Sequence, residues 1–276
     1  MKPRWVRWTV IAIALLMAAA FALSAVPSRA QAHPAVPAPP VNAPADYQLG
    51  AAYRPADAVR VVTRDRDARP AGRYDVCYVN AFQTQPGELR WWQRHHPRLL
   101  LRVGGRPLRD AGWPDEVLLD TRTADRRSEL GGVLGRWAAR CAAAGDEGLE
   151  PDNLDSWTRS RHRLTRVDNL AVARLLVRSG HRAGLAVAQK NTAELTGAEV
   201  RRTGFDFAVA EDCEVYAECD AYRRLYGAHV IEVEYADQGR AGYRRACAAR
   251  GDVWSILYRD RDLRAPGQRG YLRSGC

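Results

Sequence analysis

Four short stretches of this chain each carry an apolar run into polar side chains: GLEPDN at 148–153, AVAQKN at 186–191, FAVAED at 207–212 and VIEVEY at 230–235. Acidic residues weaken a buried strand, so their recurrence at the ends of such runs needs a reason. A polar loop would explain a single case, because Asp and Asn side chains bond the local backbone in turns. Four successive cases instead imply polar groups converging on one rim. Glu150, Asp152, Glu211, Asp212 and Glu234 are among the carboxylates these runs carry. One ionised carboxylate facing one that its surroundings keep protonated can cleave a glycosidic bond. Asn153 beside Asp152 can hold a carboxylate ionised by hydrogen bonding, and Asp212 and Glu214 near Glu211 would raise its carboxyl where they lie close to it in space.

The remaining candidates follow from position. Glu150 shares the side-chain parity of Asp152 but lies one step deeper, so it reads as a positioning or substrate-binding group. Lys190 inside a barrel is costly unless paired, and its partner should be Asp152 or Glu150. Glu234 either binds a sugar amine or hydroxyl or satisfies Lys190, and Asp155 either caps the next segment or touches substrate. Trp91, Trp92, Trp113 and Trp157 could stack on sugar rings; Trp157 and Tyr78 are the two retained. Asp120, Asn153, Asn191, Asp212 and Tyr235 complete the substrate-binding set. Other chemistries lack their equipment. Ser156 and Ser160 lie near His162 without a G-x-S-x-G elbow, no G-x-G-x-x-G follows a strand, and the cysteine spacings match no zinc pattern. No metal and no cofactor are expected.

Such a rim needs a scaffold. Eight short runs recur, at 46–50, 59–65, 74–81, 147–153, 185–191, 205–213, 229–235 and 253–260, with helical spacing at 129–145 and 168–184 between some of them. Thr165 followed by Asp168 reads as a helix start. Alternating strand and helix imply parallel pairing, because a parallel strand needs a long crossover to return. The expected fold is therefore α/β, a single (β/α)8 TIM-like barrel over residues 46–276, whose strand C-terminal ends carry the chemistry.

Residues 1–32 begin with Lys2, Arg4 and Arg7, continue in a long apolar run and end in Ala30-Gln31-Ala32, the layout of a signal peptide. An uncleaved anchor is the competing reading, disfavoured because the run is near the lower length limit for spanning a bilayer. Residues 33–45 are rich in Pro and Ala and read as a stiff disordered linker. Export agrees with the six cysteines, an even number that favours three disulfides. Cys213–Cys219 could clamp one loop and Cys247–Cys276 the tail, leaving Cys77 for Cys141, although spacing alone fixes no pairing. The formal charge of +10 comes almost entirely from dispersed arginine, which reads as a solvated surface rather than a nucleic-acid site. The expectation is a secreted monomer that acts on an extracellular polysaccharide, with no nucleic acid or membrane partner after signal cleavage.

EGLEPDNLDSW, AVAQKN, FAVAEDCEVYAEC and HVIEVEY, in this order, resemble glycoside hydrolase family 114, the endo-α-1,4-polygalactosaminidase-like proteins; DVCYVNAFQTQPGE and GWPDEVLLDTR add to the likeness. The resemblance covers most of residues 46–276. It implies a barrel that hydrolyses α-1,4-linked galactosamine polymers, with an Asp after the fourth strand and a Glu after the sixth, here Asp152 and Glu211. By analogy with α-retaining barrels, Asp152 would be the nucleophile and Glu211 the acid/base. A non-catalytic, carbohydrate- or cell-wall-binding barrel is the alternative, since fold alone never establishes catalysis. One departure stands out. Where the family shows a D-x-D pattern after its second strand, this chain has Arg64 and Arg66 around Asp65 and Asp67. The spacing to the next strand predicts a shortened or distorted second β/α unit, and arginines there would repel a cationic polymer and favour an N-acetylated glycan.

Overall fold

The computed structural model describes residues 36–276, and the segment expected to be a signal peptide lies outside them. Eight strands follow in order: β1 (Ala45–Gln48), β2 (Val61–Asp65), β3 (Tyr74–Asn80), β4 (Gly148–Asp152), β5 (Ala186–Lys190), β6 (Phe207–Glu211), β7 (Val230–Tyr235) and β8 (Ser255–Arg259). Each pairs in parallel with the next, and β9 (Arg273–Gly275) adds antiparallel to β8. The period of two along each strand builds two layers. Tyr47, Val76, Ala188, Phe207, Val209, Val233 and Leu257 fill one buried cluster. Their alternates Cys77, Val79, Leu149, Val187, Ala208 and Ile256 pack in the other, against the helices.

The barrel is nearly closed. Between β1 and β8 the described residues form no ladder, and side chains bridge the seam instead: Arg259 donates to Asp46 Oδ1 at 3.1 Å, and Arg273 to the Ala45 carbonyl at 2.8 Å. Residues 36–44, expected as a free linker, lie against the N-terminal end of the barrel. Val36 and Ala43 join the inner cluster, and Tyr74 donates its hydroxyl to the Pro37 carbonyl at 2.8 Å.

Among the described residues six helices cover the barrel: α1 (Leu89–His95), α2 (Ala124–Ala144), α3 (Arg166–Ala183), α4 (Gly197–Thr203), α5 (Cys219–Tyr226) and α6 (Arg240–Arg250). Thr123, Thr165 and Thr196 cap α2, α3 and α4 by accepting from a backbone N–H in the first turn, and Gly145 and Gly184 end α2 and α3 at positive φ. The crossover from β2 to β3 contains no helix, as its length predicted, and neither does the one from β1 to β2. Arg66 follows β2 and instead lies over the Trp137 ring of α2 at 4.1 Å, bonded to Gln85 and Glu88. All three disulfides form. Cys77–Cys141 ties β3 to α2, Cys213–Cys219 clasps the loop after β6, and Cys247–Cys276 ties α6 to the chain end.

Candidate active site

The alternation that fills the barrel also decides which polar groups reach its mouth. Interior residues climb β4 as Gly148, Glu150, Asp152 and β5 as Ala186, Ala188, Lys190, while Glu211 and Tyr235 end the interior faces of β6 and β7. The residue after each of β4, β5 and β6 is Asn153, Asn191 or Asp212, with φ of 63°, 47° and 52°. Asn and Asp are the side chains that enter this left-handed region at least cost. Two of them also latch the next strand: Asn191 Oδ1 accepts from the Glu211 N–H and Asp212 Oδ1 from the Tyr235 N–H, both at 2.9 Å. A charged residue followed by Asn or Asp is thus the local code for ending a strand and turning the chain away from the cleft.

Lys190 stands at the centre. Lys2 and Lys190 are the chain's two lysines, and everywhere else it uses arginine. The ammonium is 2.8 Å from Glu150 Oε1, 3.3 Å from Glu211 Oε2 and 3.6 Å from Asp152 Oδ1. A compact cation with three rotatable donors fits among three carboxylates where a planar guanidinium would not. Asp152 and Glu211 therefore place an oxygen each within the sum of the last two contacts, at most about 6.9 Å apart, a bound that admits the spacing of retaining glycosidases and the lower edge of the inverting one. Tyr78 donates to Asp152 Oδ2 at 2.8 Å, and Tyr235 to Glu211 Oε1 at 2.6 Å.

Burial alone would lower the Lys190 pKa, but Asp152, Glu150 and Glu211 outweigh it and raise it well above the ordinary value. Burial raises Glu150 against the opposing pull of Lys190 and Tyr47. For Glu211 the expectation is reversed. Its burial is outweighed by Lys190, Tyr235 and Asn191, which hold the carboxyl below the usual range. The like charges expected to raise it are engaged elsewhere, Asp212 with Arg261 at 2.7 Å and Glu214 with Arg245 and Arg250.

A cleft of about 640 Å³ opens above this floor. Tyr78, Asp152, Asn153, Asp155, Lys190, Asn191, Glu211 and Tyr235 line it, as expected. Glu150 is fully buried beneath the floor and holds Lys190 and Tyr47. Besides Glu150, four expected contacts do not line the cleft. Asp120 pairs with Arg122 and Arg126 at the start of α2. Glu234 has the outward parity of β7, is 1% exposed and accepts from the Glu214 N–H. Asp212 braces Arg261, and Trp157 packs into the hydrophobic clusters. Asn153 does not hold Asp152; it donates to Asn80. Arg64 bonds Gln48 Oε1 and the Arg69 carbonyl, and neither it nor Arg66 lines the cleft, so the expected repulsion of a cationic polymer has no basis. Among the lining residues missed are Asn80, Gln85, Asp110, Glu116, Arg159, Arg261 and Asp262, and Trp113, considered for stacking but not retained, lines the cleft where Trp157 does not. Glu116 and Trp113 stand in GWPDEVLLDTR, the stretch from which Asp120 was taken.

The family model of glycoside hydrolase family GH114 matches residues 26–275. The chain belongs to this family. The GH114 member is accordingly a glycoside hydrolase. Among solved structures it is similar to Aspergillus fumigatus Ega3 in complex with galactosamine, 20% identical with a TM-score of 0.67, covering 87% of this chain and 97% of that one. It is also similar to the glycoside hydrolase domain of PelA from Pseudomonas aeruginosa, 17% identical with a TM-score of 0.58, covering 82% and 97%. At these identities the likeness is one of fold, and it agrees with the TIM-like barrel read from the strand pattern. No curated protein matches this GH114 chain in sequence.

Proposed function

We propose that this glycoside hydrolase is exported and cleaves α-1,4-linked galactosamine-type polysaccharide with retention, Asp152 acting as nucleophile and Glu211 as acid/base. One observation carries the mechanism: Asp152 and Glu211 share the Lys190 ammonium at the cleft floor, each held from its other side by a tyrosine hydroxyl. The substrate class comes from the family and from Ega3, whose structure contains galactosamine. An Asp152 oxygen bonds to the anomeric carbon as the bond to the leaving sugar breaks, and the Glu211 proton goes to the leaving oxygen. Water then supplies its oxygen to that carbon as the bond to Asp152 breaks, freeing the carboxylate, and gives its proton to Glu211. The lowered Glu211 carboxyl suits this second, base half of the reaction.

The same lowering favours a second reading, in which Glu211 attacks and Asp152 carries the proton. Asp152→Asn and Glu211→Gln should each remove most hydrolysis with the fold intact, because each keeps the shape and removes the charge or proton used. Proton NMR of the first products from purified residues 33–276 should show the α-anomer; the β-anomer refutes retention. Azide separates the roles: Asp152→Ala rescued to a β-glycosyl azide makes Asp152 the nucleophile, and an α-azide makes it the acid/base. A barrel that only bound carbohydrate would yield no shortened product from either galactosamine-containing or N-acetylated polymer.

A further inference from the structure

The carboxylates along the cleft differ in one respect. Asp110 and Asp155 are paired with Arg159, Asp152 and Glu211 with Lys190, and Asp262 with Arg264. Glu116 also lines the cleft, yet no cation lies within ion-pair distance of it among the described residues. It is 8% exposed, and its one bonded oxygen, Oε2, accepts from Asn80 Nδ2 at 2.8 Å. Asn80 is in turn held by Asn153, which fixes the orientation of the carboxyl on the wall next to Asp152. Trp113, 56% exposed, stands on the same wall. A buried carboxylate without a counter-charge is unfavourable in the empty cleft. Burial raises its carboxyl to about 7 against the Asn80 hydrogen bond, with the charges of Asp152 and Asp110 adding to the rise.

We propose that Glu116 is the specificity-determining residue that reads the sugar's amine, its unbonded oxygen accepting from a 2-ammonium group and thereby selecting de-N-acetylated over N-acetylated substrate. A hydroxyl or acetamide can bond Glu116 in either protonation state, but only a cation supplies the charge the pocket lacks. Arg159 supplies only part of it, lowering the Glu116 carboxyl through space without pairing with it while its guanidinium is bonded to Asp110, Asp155 and Asn153. Binding an ammonium would hold Glu116 ionised, so cationic substrate should displace a proton from it near neutral pH.

This inference rests on the glycosidase reading and is tested by two readouts that fail separately. In the full chain, Glu116→Gln keeps the side-chain shape and the oxygen facing Asn80. It should lower kcat/KM for an α-1,4-galactosamine oligomer by about tenfold to a hundredfold, mainly through KM, while leaving the N-acetylated oligomer within about threefold. Equal losses on both oligomers overturn the proposal. The second readout needs no turnover. In Glu211→Gln protein with ¹³C-labelled glutamate, the Glu116 carboxyl, identified by its loss in Glu116→Gln, should titrate about one unit or more lower with the galactosamine oligomer and stay in place with the N-acetylated one. A carboxyl unmoved by the amine, or moved alike by both, overturns the proposal even if the wild type cleaves both polymers. If neither polymer is cleaved, the glycosidase reading fails and the titration still decides amine recognition.

Discussion

Replacing Lys190 by Met removes the ammonium that faces Glu150, Glu211 and Asp152 while keeping most of the side chain's apolar length. Lys190 is 2% exposed and Glu150 fully buried, so little water can take the cation's place. Stranding one partner of a buried pair costs about 3–5 kcal/mol. That loss should appear at pH 7 as a lowered urea midpoint followed by tryptophan fluorescence. Its pH dependence is the sharper test. In the wild type Lys190 holds Glu211 below its ordinary pKa, a contribution present above the unfolded value and lost as pH falls through the folded one. In Lys190→Met the stranded Glu150 and Glu211 should titrate above their unfolded value. Their penalty is then full at high pH and vanishes below the unfolded pKa, so the gap between the two proteins should close between pH 7 and about 4. Adding Glu150→Gln to Lys190→Met should restore part of the stability by removing one stranded charge. A loss below about 1 kcal/mol at pH 7, or a gap independent of pH, would refute a charge-based role for Lys190. Lys190→Arg should also be destabilising, because a guanidinium cannot take the ammonium's place among three carboxylates.

Two further outcomes follow. Burial, with the nearby charges of Glu232 and Asp212, raises Glu234 to about 8 against the Glu214 N–H. The native state thus favours its protonated form, and stability present below the unfolded pKa is lost as pH rises toward 8; Glu234→Gln should be progressively more stable than wild type over that window, by up to about 1.4 kcal/mol per pH unit, and parallel unfolding curves would contradict it. Disulfide loss should scale with the loop closed: changing Cys77 and Cys141 to Ser, separated by 64 positions, should cost about 4 kcal/mol, and Cys213 and Cys219, separated by 6, about 2 kcal/mol, with the reverse order in calorimetry counting against loop entropy as the cause.

The barrel was legible because strand-forming runs and helical spacing are local. Seven of the eight expected runs contain a barrel strand and the first overlaps one, and the short span between residues 65 and 74 already excluded a helix there. Asp152, Lys190, Glu211 and Tyr235 were legible for the same reason, since the last residues of a barrel strand face the mouth. Glu234 went astray because both faces of a parallel barrel strand are covered, one by the interior and one by helices. Alternation in VIEVEY separates Glu232 and Glu234 from Val233 and Tyr235, but it does not say which set points inward. Here Arg250 and the N–H of Glu214 satisfy the outward pair.

Residues 81–123 follow no long period, and they are held by isolated bridges across the stretch itself, Gln83 with Leu118, Leu100 with Leu119 and Arg109 with Val117. Asp120 and Glu116 are both acidic residues on the same short stretch, and only the packing sends one to Arg122 and the other to the cleft wall. Charge state is less local still. Neighbours in sequence suggested that Asp212 and Glu214 would raise Glu211, whereas in space Arg261, Arg245 and Arg250 engage those two and Lys190 approaches Glu211 from the next strand. Sequence by itself determined the kind of scaffold and which side chains could stand at its mouth, because the strand period is written residue by residue. Tertiary structure alone decided which carboxylate has a cation and which has none, because electrostatic energy depends on distance through space and on burial, and neither is set by separation along the chain.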